Sequence, residues 1–178
     1  MNSGIRFLNN SHRAPELRGR AEGALNLTIP AIIIHFLMLL ALLSGCSGEM
    51  GDIKNTIIKY NALLAEGYFN LNMTPLTAAA TEEQVTRDYV YMSAFGEERI
   101  KMDARLKDIN FLSVRRISTD TAEATTEETW DYTLINIDSG KPVSVNSTTY
   151  HLKYALTKKS GKWLVARIII EKQSKDKN

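Results

Sequence analysis

The apolar residues of this chain change their spacing near Asp108, and that change limits the folds open to it. Before it they recur every three or four residues, so that Ile53, Ile57, Tyr60, Leu64 and Tyr68 stack on one helical face. After it they alternate: Ala122, Ala124, Thr126, Glu128, Trp130, Tyr132 and Leu134 share one face of a strand. Helices first and strands afterwards predict an α+β fold, with N-terminal helices packed on a curved antiparallel sheet of about four strands.

Local signals divide the chain further. The first helix is predicted from Asp52, ending at Gly67 and Asn70-Leu-Asn72, and Thr74-Pro75 starts a short turn through Ala80. Thr81 and Gln84 have capping-box spacing, and Val85, Tyr89, Met92 and Phe95 form the expected buried stripe of the helix they open. Gly96 interrupts this helix, and residues 97–107 read as a third helical piece with Ile100 and Ala104 inward. Strands are predicted at 109–117, 122–135, 143–156 and 163–170, separated by turns at Ser118-Thr-Asp120, Asp138-Ser-Gly140 and Lys159-Ser-Gly161. The last strand is apolar on both faces and therefore reads as central or covered on both sides. Residues 172–178 read as a polar tail.

The N-terminal third carries different information. Arg6, Arg13, Arg18 and Arg20 precede an apolar run from Ala31 to Leu43, which has the layout of a secretory signal. Leu43-Ser44-Gly45-Cys46 resembles a bacterial lipobox, in which diacylglycerol alkylates the cysteine thiol before cleavage. The resemblance implies that residues 1–45 are a signal peptide, that Cys46 is the lipidated N-terminus and that residues 46–51 are a short tether. The bilayer is then a partner through acylated Cys46, and two or more acyl chains make a stable anchor. Ser47 after the cysteine implies an outer-membrane address facing the periplasm in a Gram-negative cell. The competing reading is a transmembrane helix over 25–43, but no basic stop-transfer cluster follows it.

From Cys46 onward the chain has 133 residues, enough for one domain, with 18 basic and 18 acidic side chains. That balance gives no electrostatic footprint for nucleic acid. With Cys46 lipidated, no thiol remains for disulfides, thiolate metal sites or thiol catalysis. No phosphate loop, dinucleotide fingerprint or nucleophile elbow occurs, and nothing asks for a cofactor or a metal.

The order of elements resembles the nuclear-transport-factor-2-like cone, also called a cystatin-like roll, over residues 52–171. Tyr150-His-Leu-Lys-Tyr154 through Gly161-Lys-Trp163-Leu-Val165 is similar to the last hairpin of small bacterial lipoproteins in that superfamily. Ala122-Glu-Ala124 and Glu127-Glu-Thr-Trp130 look like the sheet of the related domain at the C-terminus of plastid and cyanobacterial division proteins. The resemblance implies a curved sheet around an interior that some members use for catalysis, some for ligands and some for protein contacts.

Isomerase-like and dehydratase-like enzymes of this superfamily use an Asp, or an Asp and a His, inside the cone. Here Glu128 is the acid on the face shared with Trp130 and Tyr132, and the same face of the next strand carries Tyr150 and Tyr154. These five residues are the candidate pocket. Glu128 there acts as a general base or binds a polar ligand, or else it sits at the rim or pairs with Lys153 or Arg167. His151, the one histidine beyond the leader, falls on the opposite face beside Lys153, where cross-strand pairing is the expected role. Glu123, Glu127 and Asp131 with Arg115, Lys153 and Arg167 make a mixed-charge outer face.

The expected function is a non-enzymatic binding or interaction module of the cell envelope, meeting a protein partner or a second copy through its sheet. The alternative is a small-molecule binder or an isomerase/dehydratase-like enzyme using the cone interior. The lipobox is directly testable. Cells fed radiolabelled palmitate should label the wild-type chain and lose that label completely in Cys46→Ala; equal labelling of the two contradicts lipidation.

Overall fold

The computed structural model describes residues 45–175, so all but the last residue of the signal peptide read at 1–45, the transmembrane alternative and the Cys46 thiol itself lie outside the described residues. Helix α1 spans Gly45–Asn70, a 3-10 turn spans Thr74–Ala78 and helix α2 spans Glu82–Glu97. Strands β1 (Ile100–Arg116), β2 (Thr121–Asn136), β3 (Pro142–Lys159) and β4 (Lys162–Lys175) follow. They pair in sequence order as one antiparallel sheet, β1-β2-β3-β4, so the α+β architecture is the one the change of period predicts. The sheet is curved and does not close into a barrel. Register shifts at Leu106/Asp108, Phe111/Ser113, Leu134/Ile135, His151/Leu152 and Ala155/Leu156 bend it, as bulges do.

The core lies between α1 and one half of the sheet. Ile53, Ile57 and Tyr60 of α1 are fully buried, and across from them lie Ala122, Ala124, Leu156, Trp163 and Val165. Each large aliphatic side chain buried there contributes about 1.5–3 kcal/mol. The turn after α1 is tight: Leu71 takes φ 53°, and the Asn72 amide returns to the Gly67 carbonyl at 3.0 Å. A Cβ on Gly67 would meet Met73 Sδ at 2.5 Å, so glycine lets the chain fold back against its own helix. Thr81 caps α2 by accepting from the Gln84 amide. Its own amide donates to the Val165 carbonyl at 2.9 Å, and the Val165 amide donates to the Ala79 carbonyl at 2.9 Å. These two bonds tie the entry of α2 to the sheet edge.

Five expectations are corrected. Helix α1 begins at Gly45 rather than Asp52, so the segment 46–51 read as a tether is helical backbone. Glu49 within it is held to the far ends of β1 and β3 by Arg116 Nη1 at 2.6 Å and Lys158 Nζ at 2.9 Å. Residues 97–107 are not a third helix: Arg99 turns the chain at φ 60° and β1 begins at Ile100. Ile100 and Ala104 are four apart, a spacing that fits both periods, and pairing with Asn136 and Tyr132 decides for the strand.

The inward face of α2 is also rotated from the expected stripe. Gln84, Asp88 and Met92 are buried, Val85 and Phe95 are partly covered, and Tyr89 is 55% exposed. β4 is an edge strand, not a central one, with Ile169 and Ile170 largely exposed. It also continues to Lys175, taking up most of the segment read as a tail. Among the described residues no helix is long and apolar enough to cross a membrane.

Candidate functional site: a buried carboxylate beneath an aromatic cleft

Alternation along β2 sends Thr126, Glu128, Trp130 and Tyr132 to the concave face, where their β3 neighbours are Leu152, Tyr150, Thr148 and Asn146. Glu128 is fully buried at the centre. Its Oε1 accepts from the Tyr154 hydroxyl at 2.7 Å and from Thr126 Oγ1 at 2.8 Å. Its Oε2 accepts from Asn61 Nδ2 and from Trp130 Nε1, both at 3.0 Å. The four donors match the acceptor capacity of an ionised carboxylate, which has about four lone-pair sites. Asn61 serves twice, because its Oδ1 also lies 3.2 Å from the Tyr154 hydroxyl. β2, β3 and α1 therefore meet at one carboxyl group.

A second carboxylate lies on α2. Asp88, also buried, accepts from the Tyr60 hydroxyl at 2.7 Å and from Gln84 Nε2 at 2.9 Å. Burial raises its pKa above the ordinary aspartate value, and the hydrogen bonds from Tyr60 and Gln84 oppose that rise. Gln84 Oε1 accepts Arg87 Nε at 3.2 Å and Nη2 at 3.1 Å, and Arg87 Nη2 reaches the Ala166 carbonyl at 2.6 Å. The Tyr60 and Tyr154 rings meet edge to face, with centroids 6.5 Å apart. That contact joins the two carboxylate nodes.

Above this polar floor the sheet extends past the helices and leaves an open cleft of about 570 Å³. Trp130 and Tyr132 stack with centroids 6.2 Å apart and planes 7° from parallel, and Tyr150 stands edge-on to Tyr132 at 6.4 Å. Tyr68 and Phe95 face them from α1 and α2, themselves edge to face at 6.1 Å. Tyr91 and Ile170 are the open rim, 68% and 59% exposed. A cavity of several hundred cubic ångströms, mostly apolar with a few placed polar groups, has the form of a small-molecule site.

All five candidate pocket residues, Glu128, Trp130, Tyr132, Tyr150 and Tyr154, line this cleft. Glu128 is neither at a rim nor paired with Lys153 or Arg167; its partners are neutral donors. His151 lies on the outer face, its Nε2 2.9 Å from Glu127. Arg115 and Lys153 both reach Glu123 there, at 2.9 and 3.4 Å. The helical contributors Asn61, Gln84 and Asp88 were not among the sequence candidates. One signal did exist in the chain: Gln84 and Asp88 stand four apart in line with Met92, which marks a polar helix face turned inward.

No family model matches this chain, and no curated protein matches it. Among solved structures it is similar to the intermembrane space region of the chloroplast protein ARC6, with a TM-score of 0.59 and 11% sequence identity. The match covers 66% of this chain and 92% of that one. At that identity the likeness shows the fold alone.

The cleft makes a prediction about alkaline stability. Burial raises the hydroxyl pKa of Tyr60, Tyr68, Tyr132 and Tyr154, with Asp88 adding to the effect on Tyr60 and Glu128 to that on Tyr154. Phenols that hold their protons in the fold contribute stability that is complete below the unfolded value of about 10 and is lost as pH rises above it. In an alkaline titration, these four should form tyrosinate only together with loss of near-ultraviolet circular dichroism. Titration of all seven tyrosines with that signal intact contradicts the buried network.

Proposed function

We propose that this chain is a lipid-anchored, non-catalytic binding module of the cell envelope, and that the aromatic cleft rather than the outer sheet face takes its ligand. The observation that carries the reading is the cleft itself: about 570 Å³, open to solvent, walled by aromatic rings over a floor of polar groups that satisfy one another. An acid-base enzyme needs a carboxyl group with a lone pair or proton to offer its substrate. Both oxygens of Glu128, the acid at the centre of the cone, are occupied by two donors each, while each oxygen of Asp88 accepts one. This supports binding over the isomerase or dehydratase alternative.

The backbone is helical from Gly45 onward, and Glu49 ties that end of α1 to Arg116 and Lys158. The cleft is built on Tyr60, Asn61, Leu64 and Tyr68, some four to six turns further along α1. At 1.5 Å per residue the cleft stands about 20–30 Å from the anchored residue. A lipidated Cys46 thus holds an open site just above a membrane.

Plugging the cleft tests this. Ala104 faces Tyr132 across the β1–β2 ladder and lines the cavity, so Ala104→Trp fills empty volume rather than packed core. An environment-sensitive apolar fluorophore added to the full-length chain should gain emission with wild type and lose most of that gain with Ala104→Trp. The thermal midpoint should move by no more than a few degrees. Equal emission from both proteins contradicts the cleft as the binding site.

A further inference from the structure

Taking the cleft as the ligand site, we propose that its ligand is a small organic cation, an ammonium group carried on an aryl or alkyl body that arrives from solution. Charge complementarity carries the argument. One guanidinium and two carboxyl groups line the cavity: Arg87, Asp88 and Glu128. The Arg87 guanidinium is spent on Gln84 and the Ala166 carbonyl, and its field acts on Asp88. Among the described residues no basic side chain pairs with Glu128, whose partners are neutral donors. One carboxyl group, with four donors around it, is therefore left without a counterion, in surroundings where fields are weakly screened.

The walls are aromatic. An aromatic face presents the negative part of its quadrupole, and a cation over it within about 6 Å is attracted, most strongly where water is excluded. Trp130 and Tyr132 stack on each other, Tyr150 stands edge-on to Tyr132, and Tyr68 and Phe95 line the cleft from the helices. Two of the floor donors sharpen this. Trp130 gives its indole N–H and Tyr154 its phenol O–H to the Glu128 carboxylate, and hydrogen bonds to an anion push electron density back into the donor. An anion entering the cleft meets repulsion from the floor, whereas a neutral apolar ligand gains only burial. A cation with an apolar body gains both. The saturated floor fixes the mode of contact: the ammonium lies over the rings, and Glu128 acts on it through space.

Three ligands of one size and three charges decide the matter: phenethylammonium, phenethyl alcohol and phenylacetate, titrated by calorimetry into the full-length chain in a nonionic detergent. The expected order is cation, then alcohol, then anion, with the cation bound about tenfold more tightly than the alcohol. Glu128→Gln should bring the cation to within about twofold of the alcohol. Because that variant also alters the floor, Tyr132→Leu provides a second reading: it keeps an apolar wall without a ring face and should weaken the cation several-fold more than the alcohol. Equal affinity for all three ligands, or preference for the anion, overturns the cation inference and leaves the cleft as a binding site. Binding of none of them overturns both.

Discussion

The constraint on which the rest of this structure depends is a carboxylate with no cation. Glu128 is fully buried in the middle of β2 and carries a charge that would be prohibitively costly to desolvate alone. It is retained because α1 brings Asn61, β3 brings Tyr154 and β2 itself brings Thr126 and Trp130, each as a donor. Movement of any one donor costs the carboxylate one of its four hydrogen bonds, and hydrogen bonds to charged groups are each worth about 1.5–3 kcal/mol. The depth of α1 against the sheet and the register of β2 against β3 are thereby fixed at one point.

A second consequence concerns empty space. Side chains of α1 pack over the half of the sheet around Ala122, Leu156 and Val165 as one buried core. The other half continues beyond them, with long strands bent by bulges and with α2 turning polar Gln84 and Asp88 inward where a packed interface would use apolar residues. Tyr89 and Val90 correspondingly face outward on the same helix, each more than half exposed. The cleft is left open because the residues that would close it have been assigned to the polar floor.

Much of the sheet was legible because burial follows the period of two almost without exception from Ala122 to Trp130, and the turns carry their own chemistry. Ser160 and Gly161 both take positive φ, as a two-residue hairpin turn requires. The membership of the pocket was legible for the same reason, since alternation alone places Glu128, Trp130 and Tyr132 together and cross-strand pairing adds Tyr150 and Tyr154. Three features were not. Ile100 and Ala104 satisfy helix and strand spacing alike, so only pairing with β2 distinguishes them. The apolar run Ile168-Ile-Ile170 suggested a central strand, yet it lies on an edge covered only near Val165 by Ala79 and Thr81, leaving Ile169 and Ile170 in solvent. Asp88 and Gln84 gave the weakest signal, because a polar residue on an amphipathic helix is assigned to solvent until a buried partner such as Tyr60 is known.

The most direct test of the account is a double-mutant cycle between Glu128 and Tyr154, using Glu128→Gln and Tyr154→Phe with stability read by urea denaturation. If the carboxylate is the node that holds helix and sheet together, the two substitutions couple by about 1–3 kcal/mol, the range for side chains in one buried hydrogen-bond network. Additivity within about 0.5 kcal/mol, the behaviour of independent sites, would contradict it.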